Sequence, residues 1–178
     1  MIYTSKYESK LGKILLASDG TNLTGLWIEG QKYFLSNIKE EIEEKELPIF
    51  KQTKLWLDKY FEGKEVSPKD LKLKPEGTEF RKEVWKILYQ IPYGKTTTYK
   101  EIADTMAKLT KKKKMSAQAV GGAVGHNPIS IIIPCHRVVG TDGSLTGYSG
   151  GLDKKIKLLE IEKVDMSKFY IPTTGTAL

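Results

Sequence analysis

The sequence of 178 residues contains a single cysteine, Cys135, and only two histidines. One thiol excludes an internal disulfide, and it also excludes a structural zinc site of the multi-cysteine kind. No apolar run approaches the ~20 residues that a membrane-spanning helix requires, and residues 1–5 lack the basic start of a secretory signal. We therefore expect a protein of the cytoplasm that keeps Cys135 as a free thiol and holds no metal and no cofactor.

Charge, in contrast, is plentiful and unevenly distributed. The net charge is +7, but residues 1–75 contribute only +1, from 13 lysines against 12 acidic groups, whereas residues 76–165 contribute +5. Because 39% of the residues are hydrophobic and 29% are charged, this excess does not indicate disorder. A basic half is typical of a protein that binds a polyanion, although surface lysines also serve solubility alone.

The first 75 residues predict a small sheet followed by a helix. Short runs with strand character are separated by the turn signals Leu11-Gly12 and Asp19-Gly20, which favours an antiparallel arrangement. Apolar residues at helical spacing predict a helix over residues 51–61. Because this half contains neither cysteine nor histidine, we predict that it only supports the rest of the chain. The strand-like runs are residues 2–7, 13–17 and 23–28.

A charged, proline-containing segment, residues 63–77, separates this support domain from a mainly helical part. The predicted division is therefore a support domain of residues 1–75, a second domain of residues 76–165, and a tail of residues 166–178. The tail has no clear periodicity, and we expect it to be partly disordered. The predicted fold class is α+β.

Capping residues mark the starts of three helices in the second domain. Thr78 caps a helix whose apolar positions recur every three or four residues as far as Pro92. Thr98 starts a predicted capping box, and Ser116 caps a short helix of small residues. The basic run 111–114 lies between these last two helices. Together they predict a helix-turn-helix whose lysines can meet phosphates.

The short helix of small residues contains two adjacent glycines, Gly121 and Gly122. Each costs about 1 kcal/mol relative to alanine inside a helix. Such a cost indicates close approach of another surface to the helix backbone. The sequence leaves open whether that surface is a second helix or a DNA groove.

A β-branched run, residues 129–133, predicts a buried strand that delivers Cys135 at its end. A free thiol ionises near pH 8.5, so a nucleophilic cysteine needs a base, and His136 is the nearest candidate. Neighbouring residues of an extended chain point to opposite faces, so we expect a water molecule to bridge the two side chains. An acidic residue should orient the imidazolium, and the residues alone leave Glu160 and Glu162 both open.

Several separate motifs occur in order along residues 78–162. They are Phe80, Val84-Trp85, Ile91-Pro92-Tyr93-Gly94, Thr98-Tyr99, Ala119-Val120-Gly121, Asn127-Pro128, residues 134–139 and residues 148–152. On these motifs the sequence resembles the methylated-DNA–protein-cysteine methyltransferases, also called alkylguanine-DNA alkyltransferases, over about half of the chain. The N-terminal sheet resembles the variable N-terminal domain of that family in pattern only.

The resemblance implies a ribonuclease H-like N-terminal domain beside a C-terminal DNA-binding and alkyl-transfer domain with a winged-helix-like helix-turn-helix. It implies DNA repair by direct damage reversal, in which the alkyl group of O6-alkylguanine, and of O4-alkylthymine, moves irreversibly to Cys135, one lesion per molecule. The damaged base must flip out of the duplex, because sulfur cannot otherwise line up behind the alkyl carbon. The expected partner is double-stranded DNA carrying the lesion, bound by a monomer without any membrane contact.

The resemblance also assigns roles to individual residues. His136 would act through water as the base of Cys135, oriented by Glu162, and Tyr99 would donate a hydrogen bond to the guanine. Asn127 would brace the turn that joins the recognition helix to the active site. The substrate pocket would consist of Pro134, Val138, Tyr148 and Ser149. The DNA contacts would be Thr98, Ser116, Ala117, Gln118, Gly121 and Lys114.

Gln118 departs from the family pattern, because well-known members carry an intercalating arginine at this position. Glutamine can fill the gap left by a flipped base but lacks guanidinium charge and planarity, so we expect base flipping with weaker DNA binding. Three alternatives compete with the alkyl-transfer hypothesis. Cys135 could be an inert core residue, as single cysteines usually are. A DNA-binding protein without chemistry is disfavoured because non-catalytic relatives replace the cysteine, and a hydrolase because adjacent Cys135 and His136 form a direct dyad poorly.

Overall fold

The computed structural model describes residues 1–112 and 115–172. No helix in these two ranges combines the length and the apolar character needed to cross a membrane. The architecture is an N-terminal sheet with one helix, followed by a mainly helical half. The predicted α+β fold class is confirmed.

Three strands of the N-terminal sheet follow the predicted runs: β1 (Ile2–Ser9), β2 (Gly12–Ser18) and β3 (Leu23–Ile28). They form antiparallel neighbours in the order β3-β2-β1. A fourth strand, β4 (Ile42–Glu44), was not predicted and pairs parallel to β1, so the sheet is mixed although its three predicted strands are antiparallel. All three residues of β4 are exposed and the segment is charged, so no apolar alternation marked it as a strand.

Helix α1 (Pro48–Phe61) begins three residues before the predicted start. Pro48 suits the first turn, because a backbone N–H there has no partner within the helix. The helix buries Phe50, Leu57 and Tyr60, and it packs against β1 and β2. It therefore places one aromatic face of the support domain toward the second half of the chain.

Helix α2 (Glu79–Tyr89) starts at the predicted cap, where the Thr78 hydroxyl accepts a hydrogen bond from the N–H of Arg81 at 3.2 Å. It ends before Pro92, since Gln90 already closes the last turn. The buried indole of Trp85 donates to the carbonyl of Ala123 at 2.8 Å. This bond ties α2 to the helix-turn-helix.

The predicted helix-turn-helix consists of α3 (Tyr99–Leu109) and α4 (Ala117–Gly125). The Thr98 hydroxyl accepts from the N–H of Glu101 at 3.1 Å, as the capping box requires. A capping box also requires the Glu101 carboxylate to accept from a free backbone N–H, and this part of the prediction was wrong. The carboxylate accepts from the Thr97 hydroxyl at 2.6 Å instead. Two short strands hold this start in place, since β5 (Thr97–Thr98) pairs parallel to β6 (Val138–Val139).

The apolar run 129–133 is buried as predicted, but it is not a strand. Ile129 forms only an isolated bridge to Leu26, and Ile131 adopts a left-handed backbone with φ of +70°. The N–H of Ile133 then donates to the carbonyl of Ile129 at 3.1 Å. The prediction failed because an apolar run reports burial, while local turns here satisfy the backbone that a sheet would otherwise pair.

The last helix, α5 (Leu152–Ile161), buries Leu159 fully and Ile156 in part. In the tail, Met166–Lys168 forms a single helical turn, and the N–H of Tyr170 donates to the carbonyl of Gly143 at 3.1 Å. The remainder of the tail for which we expected disorder, residues 173–178, lies outside the described residues.

One hydrophobic core runs through both halves of the chain. Leu16 and Leu57 of the support domain belong to the same buried cluster as Leu88, Val124 and Ile132 of the second half. The two halves therefore pack against each other through one shared core.

Candidate active site

The turn after α4 positions Cys135, and Asn127 fixes that turn. The Asn127 amide donates to the carbonyls of Ile133 at 2.8 Å and Ile129 at 3.3 Å, while its oxygen accepts from the N–H of Ile129 at 3.0 Å. The chain then enters a single helical turn, Cys135–Arg137. Cys135 thus lies at the start of a tight, buried turn and not at the end of a strand.

His136 is fully buried and faces the end of α5. Its Nε2 lies 2.5 Å from Oε2 of Glu162. An ionised carboxylate can only accept, so Nε2 carries the hydrogen and Nδ1 keeps the free lone pair. Among the described residues, Nδ1 has no hydrogen-bond partner. The nitrogen available to act as a base is therefore Nδ1. Glu160, the alternative acidic residue, is exposed.

The Glu162 carboxylate receives four hydrogen bonds in a buried position. Besides His136, the donors are the Tyr60 hydroxyl at 2.6 Å, Nε of Arg137 at 2.7 Å and the N–H of Gly94 at 3.1 Å. Burial by itself raises the pKa of Glu162, but His136 and Arg137 outweigh it and hold that pKa well below its usual range. Glu162 therefore stays ionised when His136 takes up a proton.

Two members of this network were missed in the sequence. Tyr60 comes from the support domain, which we set aside because it contains neither cysteine nor histidine. Arg137 was noted only as part of a motif, yet its Nη1 also donates to the carbonyl of Ile91 at 2.6 Å. No local pattern marks either residue, because their partner Glu162 lies far away along the sequence.

Cys135 is 2% exposed, and burial raises the pKa of its thiol, while the nearby Asn127 amide and Lys155 ammonium lower it. Burial lowers the pKa of His136 below its ordinary value, although Glu162 acts in the opposite direction. At rest the pair is thus a neutral thiol beside a neutral imidazole. Such a pair can transfer a proton without any change in the net charge of the site.

Lys155 is a third residue that the sequence did not single out, since a lysine on a helix is usually solvated. Its Nζ is buried and donates to the carbonyls of Val138 at 2.5 Å and Thr146 at 2.7 Å. Burial lowers the pKa of Lys155 to about 8. The side chain holds the turn that follows Cys135 against the loop that begins at Thr146, and it places positive charge near the sulfur.

The loop 146–151 contributes Tyr148 to the buried cluster that contains Cys135. The Tyr99 hydroxyl donates to the carbonyls of Thr146 and Gly147, each at 3.1 Å, and burial raises the pKa of Tyr99. Tyr148 is buried with a hydroxyl that has no partner in the described ranges, and Ser149 is half-buried. Pro134 and Val138, the other predicted pocket residues, are buried beside Cys135 in the chain.

Two surface cavities, of about 600 and 520 Å³, lie behind α2, and Cys135 lines neither of them. The first is lined by Leu71, Trp85 and Ile133, and the second includes Arg137. Because Cys135 is buried, its sulfur is not open to a planar base in this conformation.

Three of the predicted DNA contacts lie at the exposed start of α4. Ser116, Ala117 and Gln118 are exposed there, and Thr98 and Gly121 are half-buried. A Cβ atom built on Gly121 or Gly122 would meet no described atom within 4 Å outside its own helix. Packing against another helix therefore does not explain these glycines. Lys114, the remaining predicted contact, lies outside the described residues.

The fold and the site together define a class of protein: a buried cysteine with a carboxylate-oriented histidine, set beside an exposed helix-turn-helix with backbone open to a ligand. Family models match both halves of the chain. Residues 2–75 match the ribonuclease-like domain of 6-O-methylguanine DNA methyltransferase, and residues 79–164 match its DNA-binding domain.

Individual relatives agree with these matches. A methylated-DNA–protein-cysteine methyltransferase of Haemophilus influenzae is 42% identical over 92% of this chain and 87% of its own. One from Methanosarcina barkeri is 47% identical over 91% of this chain and 98% of its own. The crystal structure of Mycobacterium tuberculosis OGT in complex with DNA superimposes with a TM-score of 0.78 at 39% identity, covering 94% of each chain.

The chain belongs to the methylated-DNA–protein-cysteine methyltransferase family, whose reaction is the direct reversal of DNA alkylation by transfer of the alkyl group to a protein cysteine. The predicted family and reaction class are confirmed.

Proposed function

We propose that Cys135 is the acceptor of the alkyl group and that O6-alkylguanine in double-stranded DNA is the donor. The observation that carries this assignment is the buried contact of His136 with Glu162, which leaves Nδ1 as a base next to the only thiol of the chain. The test is transfer of a labelled methyl group from an O6-methylguanine duplex to the protein, with the modified residue located by mass spectrometry.

In the proposed reaction the sulfur of Cys135 attacks the sp³ carbon of the alkyl group, and the bond between that carbon and O6 breaks. The thiol proton passes to Nδ1 of His136, directly or through water, and the electron pair of the broken bond stays on the guanine. The imidazolium of His136 then returns this proton to the guanine anion, directly or through water. This step restores neutral His136. Glu162 stabilises the transient imidazolium without being protonated, because its pKa is held low.

Tyr99 contributes to the stabilisation of the departing guanine in this mechanism. Its hydroxyl is held at the loop 146–151, and an incoming base would exchange those loop carbonyls for an acceptor atom of the guanine ring. A donor aimed at developing negative charge lowers the barrier where electrostatics act most strongly. Admission of the base therefore requires the loop to move away from Cys135. We propose O4-alkylthymine as a second substrate, because its alkyl carbon is likewise bonded to an exocyclic oxygen of the base.

The product explains why one molecule repairs one lesion. Alkylated Cys135 is a thioether, and a thioether lacks a good leaving group. We expect the protein to be consumed stoichiometrically, and to work as a cytoplasmic monomer in which residues 1–75 support a DNA-binding and alkyl-transfer domain of residues 76–165.

The open backbone at Gly121 supports contact of α4 with DNA. Gly121→Ala should raise the free energy of unfolding of the free protein by about 0.5–1 kcal/mol, because alanine is the better helix former and its methyl group has room. The same methyl group should weaken binding to a duplex. Thermal unfolding and fluorescence anisotropy measure the two effects separately. A destabilised variant, or one with undiminished affinity, would remove the explanation that the glycine admits DNA.

Replacement of Gln118 by arginine should strengthen DNA binding. Gln118→Arg should tighten binding to a duplex that contains O6-methylguanine, because arginine adds charge and a planar group at the exposed start of α4. The matched control is Gln90→Arg, which adds the same charge at the exposed end of α2, outside the helix-turn-helix. Affinities should be compared at one salt concentration. An unchanged affinity, or an equal gain in the control, would contradict the assignment of Gln118.

A further inference from the structure

Tyr60 is the residue of the support domain that contacts the histidine–carboxylate pair of the candidate active site. Its side chain is fully buried on α1, and its hydroxyl donates to Oε2 of Glu162 at 2.6 Å. The same oxygen lies 2.5 Å from Nε2 of His136. The other carboxylate oxygen, Oε1, accepts from Arg137 and Gly94. In the part of the chain that the structure describes, Tyr60 is thus the one side chain that shares an acceptor atom with the histidine.

We propose that Tyr60 is a positioning residue for alkyl transfer, whose hydroxyl shares the Glu162 oxygen that holds His136 and so limits how strongly the carboxylate retains the imidazole hydrogen. This role rests on the proposed function of His136 as the base. In this role Tyr60 acts through Glu162, because its 2.6 Å hydrogen bond to that carboxylate is much shorter than its 3.5 Å contact with Nε2 of His136.

The physical reason is competition for one oxygen atom. A carboxylate oxygen that accepts a second strong hydrogen bond has less negative charge to offer the first donor. Without the Tyr60 hydroxyl, Glu162 would attract the Nε2 hydrogen of His136 more strongly and would favour the imidazolium before substrate arrives. A histidine that is already protonated cannot accept the thiol proton of Cys135.

Ring packing alone would not require a hydroxyl at position 60. The Tyr60 ring stacks on Trp56 with centroids 5.6 Å apart, and it meets Phe61 and Tyr93 edge-on at 5.4 and 6.3 Å. A phenylalanine ring could make the same contacts. The hydroxyl of Tyr60 instead makes its short contact with Glu162 at 2.6 Å, and it also lies 3.5 Å from Nε2 of His136.

Other charged or titratable groups also act on His136, and they must stay unchanged in the comparison. Arg137 and Lys155 lower its pKa by charge repulsion, and Glu162 raises it. The Tyr148 ring meets the imidazole edge-on with centroids 6.5 Å apart. The groups that face or adjoin the ring are Tyr60 from α1, Cys135 and Arg137 beside it, Tyr148 from the loop 146–151, Lys155 from α5, and Glu162 directly after α5.

The experiment compares Tyr60→Phe with Tyr93→Phe. Tyr93 is a matched control, because it lies in the same aromatic cluster but its hydroxyl donates to the backbone carbonyls of Gly63 and Ile161 and to no side chain. The first measurement is the NMR titration of His136 in the free protein, which is simple to assign because the chain contains only one other histidine, His126. The second is the single-turnover rate of methyl transfer from an O6-methylguanine duplex as a function of pH.

Tyr60→Phe should move the titration midpoint of His136 to higher pH and shift the acid limb of the rate profile with it. Transfer on that limb should be about 3- to 10-fold slower, the effect of one hydrogen bond to a charged group, and should recover at higher pH. Tyr93→Phe should change neither. A lower rate at every pH with an unchanged midpoint is what loss of packing alone predicts, and it would overturn the proposal.

A second variant covers the case in which Tyr60→Phe does not fold. A fluorinated tyrosine at position 60 keeps the ring and the hydrogen bond but makes the hydroxyl a stronger donor. It should move the midpoint of His136 to lower pH, and a shift to higher pH or no shift would overturn the proposal. Absence of methyl transfer by the unmodified protein would instead overturn the proposed function, and the positioning role with it.

Discussion

Replacement of Cys135 by alanine should abolish methyl transfer from an O6-methylguanine duplex while duplex binding persists. Cys135 is the only thiol of the chain, so no second sulfur can take its place. Ser116, Ala117 and Gln118 of the predicted DNA contacts lie at the exposed start of α4, so replacement of the buried Cys135 leaves these side chains unchanged. After incubation with the duplex, mass spectrometry of the intact protein should detect the mass of one added methylene in the protein with Cys135 and none in the Cys135→Ala variant.

Cys135→Ser is the matched control for packing. It restores nearly the original volume at this buried position, but a hydroxyl is a far weaker nucleophile than a thiol. Both variants should therefore be inactive although they differ in stability. After the reaction, peptide mapping of the protein without substitutions should locate the methyl group on Cys135. A methyl group found on any other residue would contradict the proposed acceptor.

Glu162→Gln has the second largest expected effect, and it should act on both rate and stability. An amide cannot accept from His136, Tyr60 and Arg137 as an ionised carboxylate does, so Nε2 of the histidine loses its fixed hydrogen. Transfer should slow by about 100-fold or more, as when the group that orients a catalytic histidine is removed. Loss of the partner of buried Arg137 should cost about 3–5 kcal/mol of unfolding free energy.

Glu160→Gln is the control for this prediction, because Glu160 lies two residues earlier and is exposed. It should leave both the transfer rate and the stability nearly unchanged. Equal effects of the two substitutions would show that the buried network is not what matters.

The pH dependence of stability gives an independent measurement of the same carboxylate. The pKa of Glu162 is lower in the folded protein than in the unfolded chain, where it is about 4.3. Its contribution to stability is therefore complete above that value and is lost as the pH falls below it. Denaturant unfolding of the unmodified protein should show this loss on acidification, and Glu162→Gln should lack that component. A variant with the same acid sensitivity would contradict the low pKa.

The parts of the structure that could be predicted are those with a local signal. Strands β1 to β3 are short runs with strand character separated by glycine turns, and Thr78, Thr98 and Ser116 mark helix starts by their side chains. The strand β4 and the turn at residues 129–133 could not be predicted in the same way. The pairing partner of β4 lies elsewhere in the chain, and the hydrophobicity of residues 129–133 reports burial without reporting backbone shape.

The candidate site divides in the same manner. Cys135 and His136 are neighbours in the chain, and a lone thiol beside an imidazole indicates chemistry directly. Glu162 was one of two acidic candidates until the resemblance favoured it, and the structure places it against the histidine. Tyr60 and Lys155 gave no signal, because a tyrosine in an aromatic helix and a lysine on an amphipathic one are the ordinary composition of such helices.

The carboxylate of Glu162 also bears on how such a chain can evolve. Its donors come from α1, from Gly94 between α2 and β5, and from the turn at Cys135–Arg137, so the two segments matched by the family models meet on one side chain. Recombination between related genes at the apparent boundary near residue 75 would join an α1 and an α5 that had never been selected against each other. The two segments are therefore expected to be inherited as a unit, and a hybrid of distant relatives should recover full activity only after its tyrosine and glutamate are matched again.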